Sequence, residues 1–198
     1  VDALLDRLTR ARAPFAGVAM AGPHLMGVVN VTPDSFADGG RFADADAAIA
    51  QGLALAKAGA AILDVGGEST RPGAAPVSVA DEQARALPVV RGLAAAGLAV
   101  SIDTRNPATM VAAAQAGAVA INDVTALAHR PDSLAAAAAT GLAVILMHSR
   151  GDPRVMQDDP VYDHAALDVY DALAARIAVA ETAGIARPRI TGDPGLRE

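Results

Sequence analysis

Four segments of the chain share one pattern: a glycine, a short run drawn from Ala, Val, Leu and Ile, and then a polar residue. They are AGAAILDVGG from Ala58, AGLAVSIDT from Ala96, AGAVAINDV from Ala116 and TGLAVILMH from Thr140. A glycine in that place ends a helix in the left-handed conformation, and an unbroken apolar run of this length marks a strand covered on both faces. LMGVVNV from Leu25, and the stretch from Arg189 to Asp193 behind the Ala-Gly at Ala183, bring the expected strands to six.

Helical stretches fill the spaces between them, over Ala43 to Lys57, Val79 to Ala95, Pro107 to Gln115, Ser133 to Ala139 and Asp163 to Ala183. Ser78, three residues before Asp81, reads as half of a capping box. Asn106 before Pro107, and Asp132 before an alanine run, read as further helix starts. Strands that alternate with helices and are covered on both faces must run parallel. An open doubly wound sheet and a (β/α)8 barrel both satisfy that. The first strand leads into NVTPDSF rather than a glycine-rich phosphate turn, which counts against the doubly wound sheet. The strand tips carry Asn30, Asp64, Asp103, Asn122 with Asp123, His148 and Asp193, and in a barrel these meet on one rim, where barrel active sites lie. The expected fold is therefore α/β of the TIM (β/α)8-barrel type, with about six of its units in this chain.

Composition narrows the picture. With 198 residues the chain suits one buried core better than two. It is 53% hydrophobic, yet no apolar run approaches the roughly 18 residues that span a bilayer, so neither a membrane protein nor a signal peptide is expected. VDALLDRLTRARAPF at the start spaces its leucines among charges as an amphipathic helix does, so residues 1–20 are expected to form a helical extension and 21–198 the barrel domain. No cysteine is present, which suits the cytoplasm. A net charge of −6 without a basic, aromatic-laced patch makes nucleic acid an unlikely partner.

Two long loops carry the candidate chemistry. NVTPDSFADGGRF follows the first strand and GGESTRPGAAPVS the second, both longer than such connections usually are. STRPG offers a hydroxyl, a guanidinium and a proline-stiffened turn, a set suited to an anionic group on a small ligand. Local alternatives stand beside these readings. Asn30 suits an Asx turn, Asp64 and Asp103 suit caps on the turns that follow them, and Met147 suits the core. His148 suits a ring oriented by packing, and the other histidines, His24, His129 and His164, are too scattered for a metal site.

GVVNVTPDSFADGG (Gly27 to Gly40) and GAAILDVGGESTRPG (Gly59 to Gly73) resemble the two signature regions of the dihydropteroate synthases, in the pterin-binding (β/α)8 family. SIDT from Ser101, INDV from Ile121, LMHSRGDP from Leu146 and DPG from Asp193 resemble later landmarks of that family in the right order. The resemblance implies a cytoplasmic transferase of folate biosynthesis. It would condense 6-hydroxymethyl-7,8-dihydropterin pyrophosphate with p-aminobenzoate and use Mg2+. It assigns Asp103, Asn122 and Asp193 to the pterin pocket, with Met147 in its wall. Arg71 would lie near pyrophosphate, Thr70 and Pro72 near p-aminobenzoate, and Asp34 and Phe36 on a covering loop. Asn30 would lie by the pyrophosphate and be the metal's protein ligand, so Asp103, Arg71 and Asn30 are the expected catalytic residues. The alternatives are a silent pterin-binding paralogue or fragment, and a methyltetrahydrofolate-corrinoid methyltransferase; TPDSF and ESTRPG resemble the synthase loops rather than those of the latter. Relative to the family, strands seven and eight are expected to be missing, along with segments that grip pyrophosphate. The chain alone would then be poorly active, and a homodimer is expected only at full length.

Overall fold

A computed structural model describes residues 12–31, 40–68, 77–149 and 162–195, with 40–44 by backbone only. Six strands and five helices alternate among them. They are β1 (Leu25–Asn30), α1 (Gly40–Lys57), β2 (Ala60–Gly66), α2 (Val79–Ala95), β3 (Val100–Asp103) and α3 (Pro107–Gln115). After these come β4 (Ala120–Asp123), α4 (Ser133–Thr140), β5 (Ala143–Met147), α5 (Ala165–Thr182) and β6 (Ile190–Asp193). A short 3-10 turn, Arg187–Arg189, leads into β6. The glycines that were expected to end helices do so with positive φ, at Gly59, Gly97, Gly117, Gly141 and Gly184. Each helix therefore stops close to where the apolar run begins.

All neighbouring strands are parallel, and they lie in the order β1-β2-β3-β4-β5-β6. A doubly wound sheet reverses strand order part-way, and this sheet never does. It is an arc of a (β/α)n barrel, with β1 and β6 as its edges among the described residues. The pleat then separates two faces. Val29, Leu63, Val65, Val100, Ile102, Ile121, Val144 and Leu146 point outward into the main core, where they meet Ala48, Val89, Leu93, Met110 and Ala113 of the helices. The opposite set, including Asp64, Ser101, Asp103, Asn122 and Asp193, lines the inside of the arc by the same two-residue period. Alternation that looked continuously apolar in the sequence thus hides a polar inner row.

The three marked helix starts stand where expected, and of these only Ser78 caps through its side chain. Ser78 Oγ accepts from Asp81 N at 3.1 Å and donates to its carboxylate at 2.8 Å, so that capping box forms. Asn106 and Asp132 make no side-chain cap. The Asn106 amide is drawn instead to buried Glu82 at 2.9 Å, and Ser133 Oγ takes Arg130 N at 3.2 Å in front of α4. Of the helical extension expected over 1–20, residues 1–11 lie outside the described residues. Residues 12–20 are not helical, because Phe15 and Val18 bond to each other across Ala16 and Gly17, both at positive φ, the sign pattern of a tight hairpin turn. No helix among the described residues is long and apolar enough to cross a membrane.

Candidate active site

The polar strand tips meet at the C-terminal rim of the arc. Cα register sets Asn30 beside Gly66, Gly66 beside Asp103, and Asp103 beside Asn122. Gly66 lacks the atom that would close the gap there: a Cβ on it would lie 3.4 Å from Asp103 Oδ2 and 3.7 Å from Asn30 Oδ1. Two oxygen-bearing side chains therefore face one small space above a bare strand backbone. On the far side of the arc, Met147 pairs in register with Asp193. The Asp193 carboxylate accepts Gly195 N at 2.8 Å, and its carbonyl accepts His148 N at 2.8 Å, which fixes the DPG turn against β5. His148 packs its ring 6.0 Å from that of Tyr162. Met147 is buried on the inner face beside the DPG turn, so the wall and core readings of it describe one position.

Beneath this row lies Asp64, which the sequence sets among the strand tips. Asp64 is 5% exposed, one inward position below Gly66. It accepts Ser101 Oγ at 2.5 Å and Asn122 Nδ2 at 2.8 Å. Among the described residues it makes no bond to the turn after β2. Burial pushes its pKa above the ordinary carboxylate value; the two donated bonds oppose the shift, and the negative charge of Asp193 adds to it. The signal for such a residue was present in AAILDVG, a lone carboxylate inside an apolar strand, which must find donors. Asn122, with its Nδ2 committed to Asp64, keeps Oδ1 buried and without a hydrogen-bond partner among the described residues.

Neighbouring polar groups serve the frame. Asp123 points to the other face, accepting Thr125 N, Thr125 Oγ1 and Leu127 N at 2.7, 2.7 and 3.1 Å, and so holds a turn in which Ala126 and Leu127 have positive φ. Burial raises its pKa, against those bonds. Arg105 grips Glu68 with two bonds, 3.2 and 2.7 Å, tying the loop after β3 to the one after β2. His129, close by, is held below the usual histidine pKa by burial and then by the charges of Arg105 and Arg130. Asp34, Phe36, Thr70, Arg71 and Pro72 lie outside the described residues. Among the described residues no group of three or more His, Cys, Asp or Glu gathers as a metal cage. A cavity of about 720 Å³ opens at the other end of the strands, bounded by Leu25, Met26, Ile62, Ile145 and Ile190, away from the polar tips.

The raised pKa of Asp64 has a testable sign. A carboxyl that binds its proton more tightly when folded favours the fold most below its unfolded pKa near 3.9. That contribution is lost as pH rises from there through the native value. Asp64→Asn removes the titration and keeps one acceptor for Asn122. It is expected to flatten this fall in stability and to be at least as stable as the parent at neutral pH. Urea midpoints across roughly pH 4 to 8 check this, and a parent and variant that lose stability in parallel would refute it.

A parallel, consecutively ordered arc of βα units with carboxylates and an amide gathered at the strand tips places the chain in the barrel class, whose active sites lie at that rim. The chain belongs to the pterin binding enzyme family, whose model matches residues 26–197. Among individual proteins it is similar to dihydropteroate synthase of Escherichia coli (strain K12), 46% identical over 178 residues. That match takes in 89% of this chain and 63% of the relative. The chain thus spans about two thirds of the length of such relatives. Dihydropteroate synthase of Xanthomonas albilineans with 4-aminobenzoic acid superimposes with a TM-score of 0.84 at 47% identity, over 94% of this chain and 67% of that one. The Burkholderia cenocepacia dihydropteroate synthase complexed with 7,8-dihydropteroate gives 0.81 at 38%, over 94% and 65%.

Proposed function

We propose that the protein is a dihydropteroate synthase, joining p-aminobenzoate to 6-hydroxymethyl-7,8-dihydropterin pyrophosphate. The observation that carries this is the buried, unpartnered Asn122 Oδ1 among the tips that present Asp103 and Asp193. An orphaned acceptor is costly, about 1–3 kcal/mol, unless a ligand or water supplies a donor. A pterin's pyrimidine edge carries amino and ring N–H donors, the complement of an amide oxygen between two carboxylates.

In the reaction the arylamine lone pair forms a C–N bond at the pterin methylene. The C–O bond to pyrophosphate breaks, pyrophosphate leaves with the electron pair, and the new ammonium gives its proton to solvent or to the leaving group. Asp103 and Asp193 favour positive charge developing on the pterin, which is electrostatic preorganisation. Because the arylamine is neutral near pH 7, no strong base is required. Thr70, Arg71 and Pro72 would meet p-aminobenzoate and pyrophosphate, while Asp34 and Phe36 would cover the site. Asn30, a single amide oxygen facing the gap over Gly66, suits Mg2+, which keeps several waters and takes phosphate oxygens rather than an all-protein cage. Bound there, the ion would neutralise charge on the leaving pyrophosphate. The enzyme would work in the cytoplasm as a homodimer.

The test uses the protein at the full length its gene encodes. Pyrophosphate release is expected only when dihydropterin pyrophosphate, p-aminobenzoate and Mg2+ are all supplied, with dihydropteroate formed in equal amount. Release without p-aminobenzoate, or none with all three, would refute it.

A further inference from the structure

We propose that Asp64 is a positioning residue that holds the Asn122 amide in one orientation, so that the site offers an acceptor and rejects ligand edges lacking an N–H donor. This deepens the reading of the site as a pterin pocket and rests on it.

Three observations meet at this point. Asp64 and Asn122 sit on strands β2 and β4, with β3 between them, and both face the inside of the arc, so their 2.8 Å bond passes over Ser101 and spans three strands. Ser101 gives its hydroxyl to the other oxygen of Asp64, at 2.5 Å, so both carboxyl oxygens act as acceptors. The amide turns its nitrogen to Asp64, and its oxygen falls on the other prong, where it has no hydrogen-bond partner among the described residues. An asparagine free to flip would satisfy a donor edge or an acceptor edge alike; one pinned through its nitrogen satisfies only a donor. Sites built to hydrogen-bond an N–H discriminate strongly against analogues without it, because their own polar group is then left unpaired.

The Asp64 carboxylate lies one inward position below the tip row, beneath Gly66. Asn122 Nδ2 already takes up one of its oxygens and Ser101 the other. Its effect on the ligand would thus pass through Asn122.

The full-length protein is titrated calorimetrically with 6-hydroxymethyl-7,8-dihydropterin and with its N3-methyl counterpart, which lacks the ring N–H. The parent should prefer the N–H ligand by about tenfold or more. Asp64→Leu, similar in volume and without an acceptor, should bring that preference close to one. Ser101→Ala, which removes the other partner of Asp64, should leave it in place. An Asp64→Leu protein that keeps the full preference overturns the inference alone, and so does a Ser101→Ala protein that loses it. A parent that binds neither ligand overturns the pterin reading together with the inference. Should Asp64→Leu fail to fold, nitrogen-15 NMR of the parent decides. The Asn122 side-chain NH2 protons are expected to be protected from solvent exchange before and after the ligand is added. Exchange as fast as that of an exposed asparagine in the ligand-free protein overturns the proposal.

Discussion

Replacing Glu82 with alanine is expected to remove about 3–5 kcal/mol of stability, a large part of what a domain of this size holds. Glu82 stands in the first turn of α2 and is fully buried. It accepts three side-chain bonds: Thr104 Oγ1 at 2.5 Å, Asn106 Nδ2 at 2.9 Å and Thr109 Oγ1 at 2.6 Å. All three donors belong to the loop after Asp103 and the start of α3. Thr104 Oγ1 in turn accepts Asn106 N at 3.1 Å, so one carboxylate organises both side chains and backbone there. Alanine would leave these buried donors without an acceptor, which costs more than the bonds themselves contribute. Glu82→Gln keeps one oxygen and should lose only about 1 kcal/mol, since Thr104 can turn its hydroxyl to accept. Denaturant midpoints of the two variants distinguish these losses. Equal, small effects would mean that water satisfies the loop and that Glu82 is not its anchor.

Glu82 also shows where reading the sequence reaches its end. In SVADEQARA it looks like an acid placed to favour a helix N-terminus, a local role that Asp81 alone fulfils with Ser78. What makes Glu82 structural is a loop 22 to 27 residues further on, and nothing in its own helix announces that contact. Asn106 stands at the start of α3 as expected, but its side chain goes to a buried carboxylate rather than to the helix N-terminus, a contact equally hidden from the local sequence. Asp64 is a related case. Both faces of β2 are covered, so apolar residues flank it on each side and the inward parity cannot be read from the strand alone. The strands and helices of the arc, by contrast, are legible to within three residues at each end. Glycines at positive φ stop the helices, and each apolar run after them has room for only one strand. Asn30, Asp103, Asn122 and Asp193 were legible for a similar reason, since a parallel barrel fixes where strand ends must go.

Gly66→Val is expected to lower the proposed dihydropteroate formation by at least about a hundredfold, while leaving the fold in place. Gly66 does not have positive φ, and a β-branched residue suits a strand, so the backbone has no objection to valine there. The first added carbon would sit 3.4 Å from Asp103 Oδ2 and 3.7 Å from Asn30 Oδ1, ordinary contact distances. Valine's two further methyls must then occupy the space that these oxygens share, where the proposed chemistry needs pterin and pyrophosphate oxygens. Asn30 is exposed and Asp103 partly so, and both can give way toward solvent rather than strain the core. The adjacent glycine supplies the contrast. A Cβ on Gly67 would lie 2.8 Å from the carbonyl oxygen of Glu82, helix backbone that cannot retreat, so Gly67→Ala should unfold more readily. Turnover and thermal midpoint measured on both variants separate the two effects. If the Gly66→Val protein is both stable and active, the gap between Asn30 and Asp103 is not where substrate lies, and the reacting centre must be sought elsewhere on the rim.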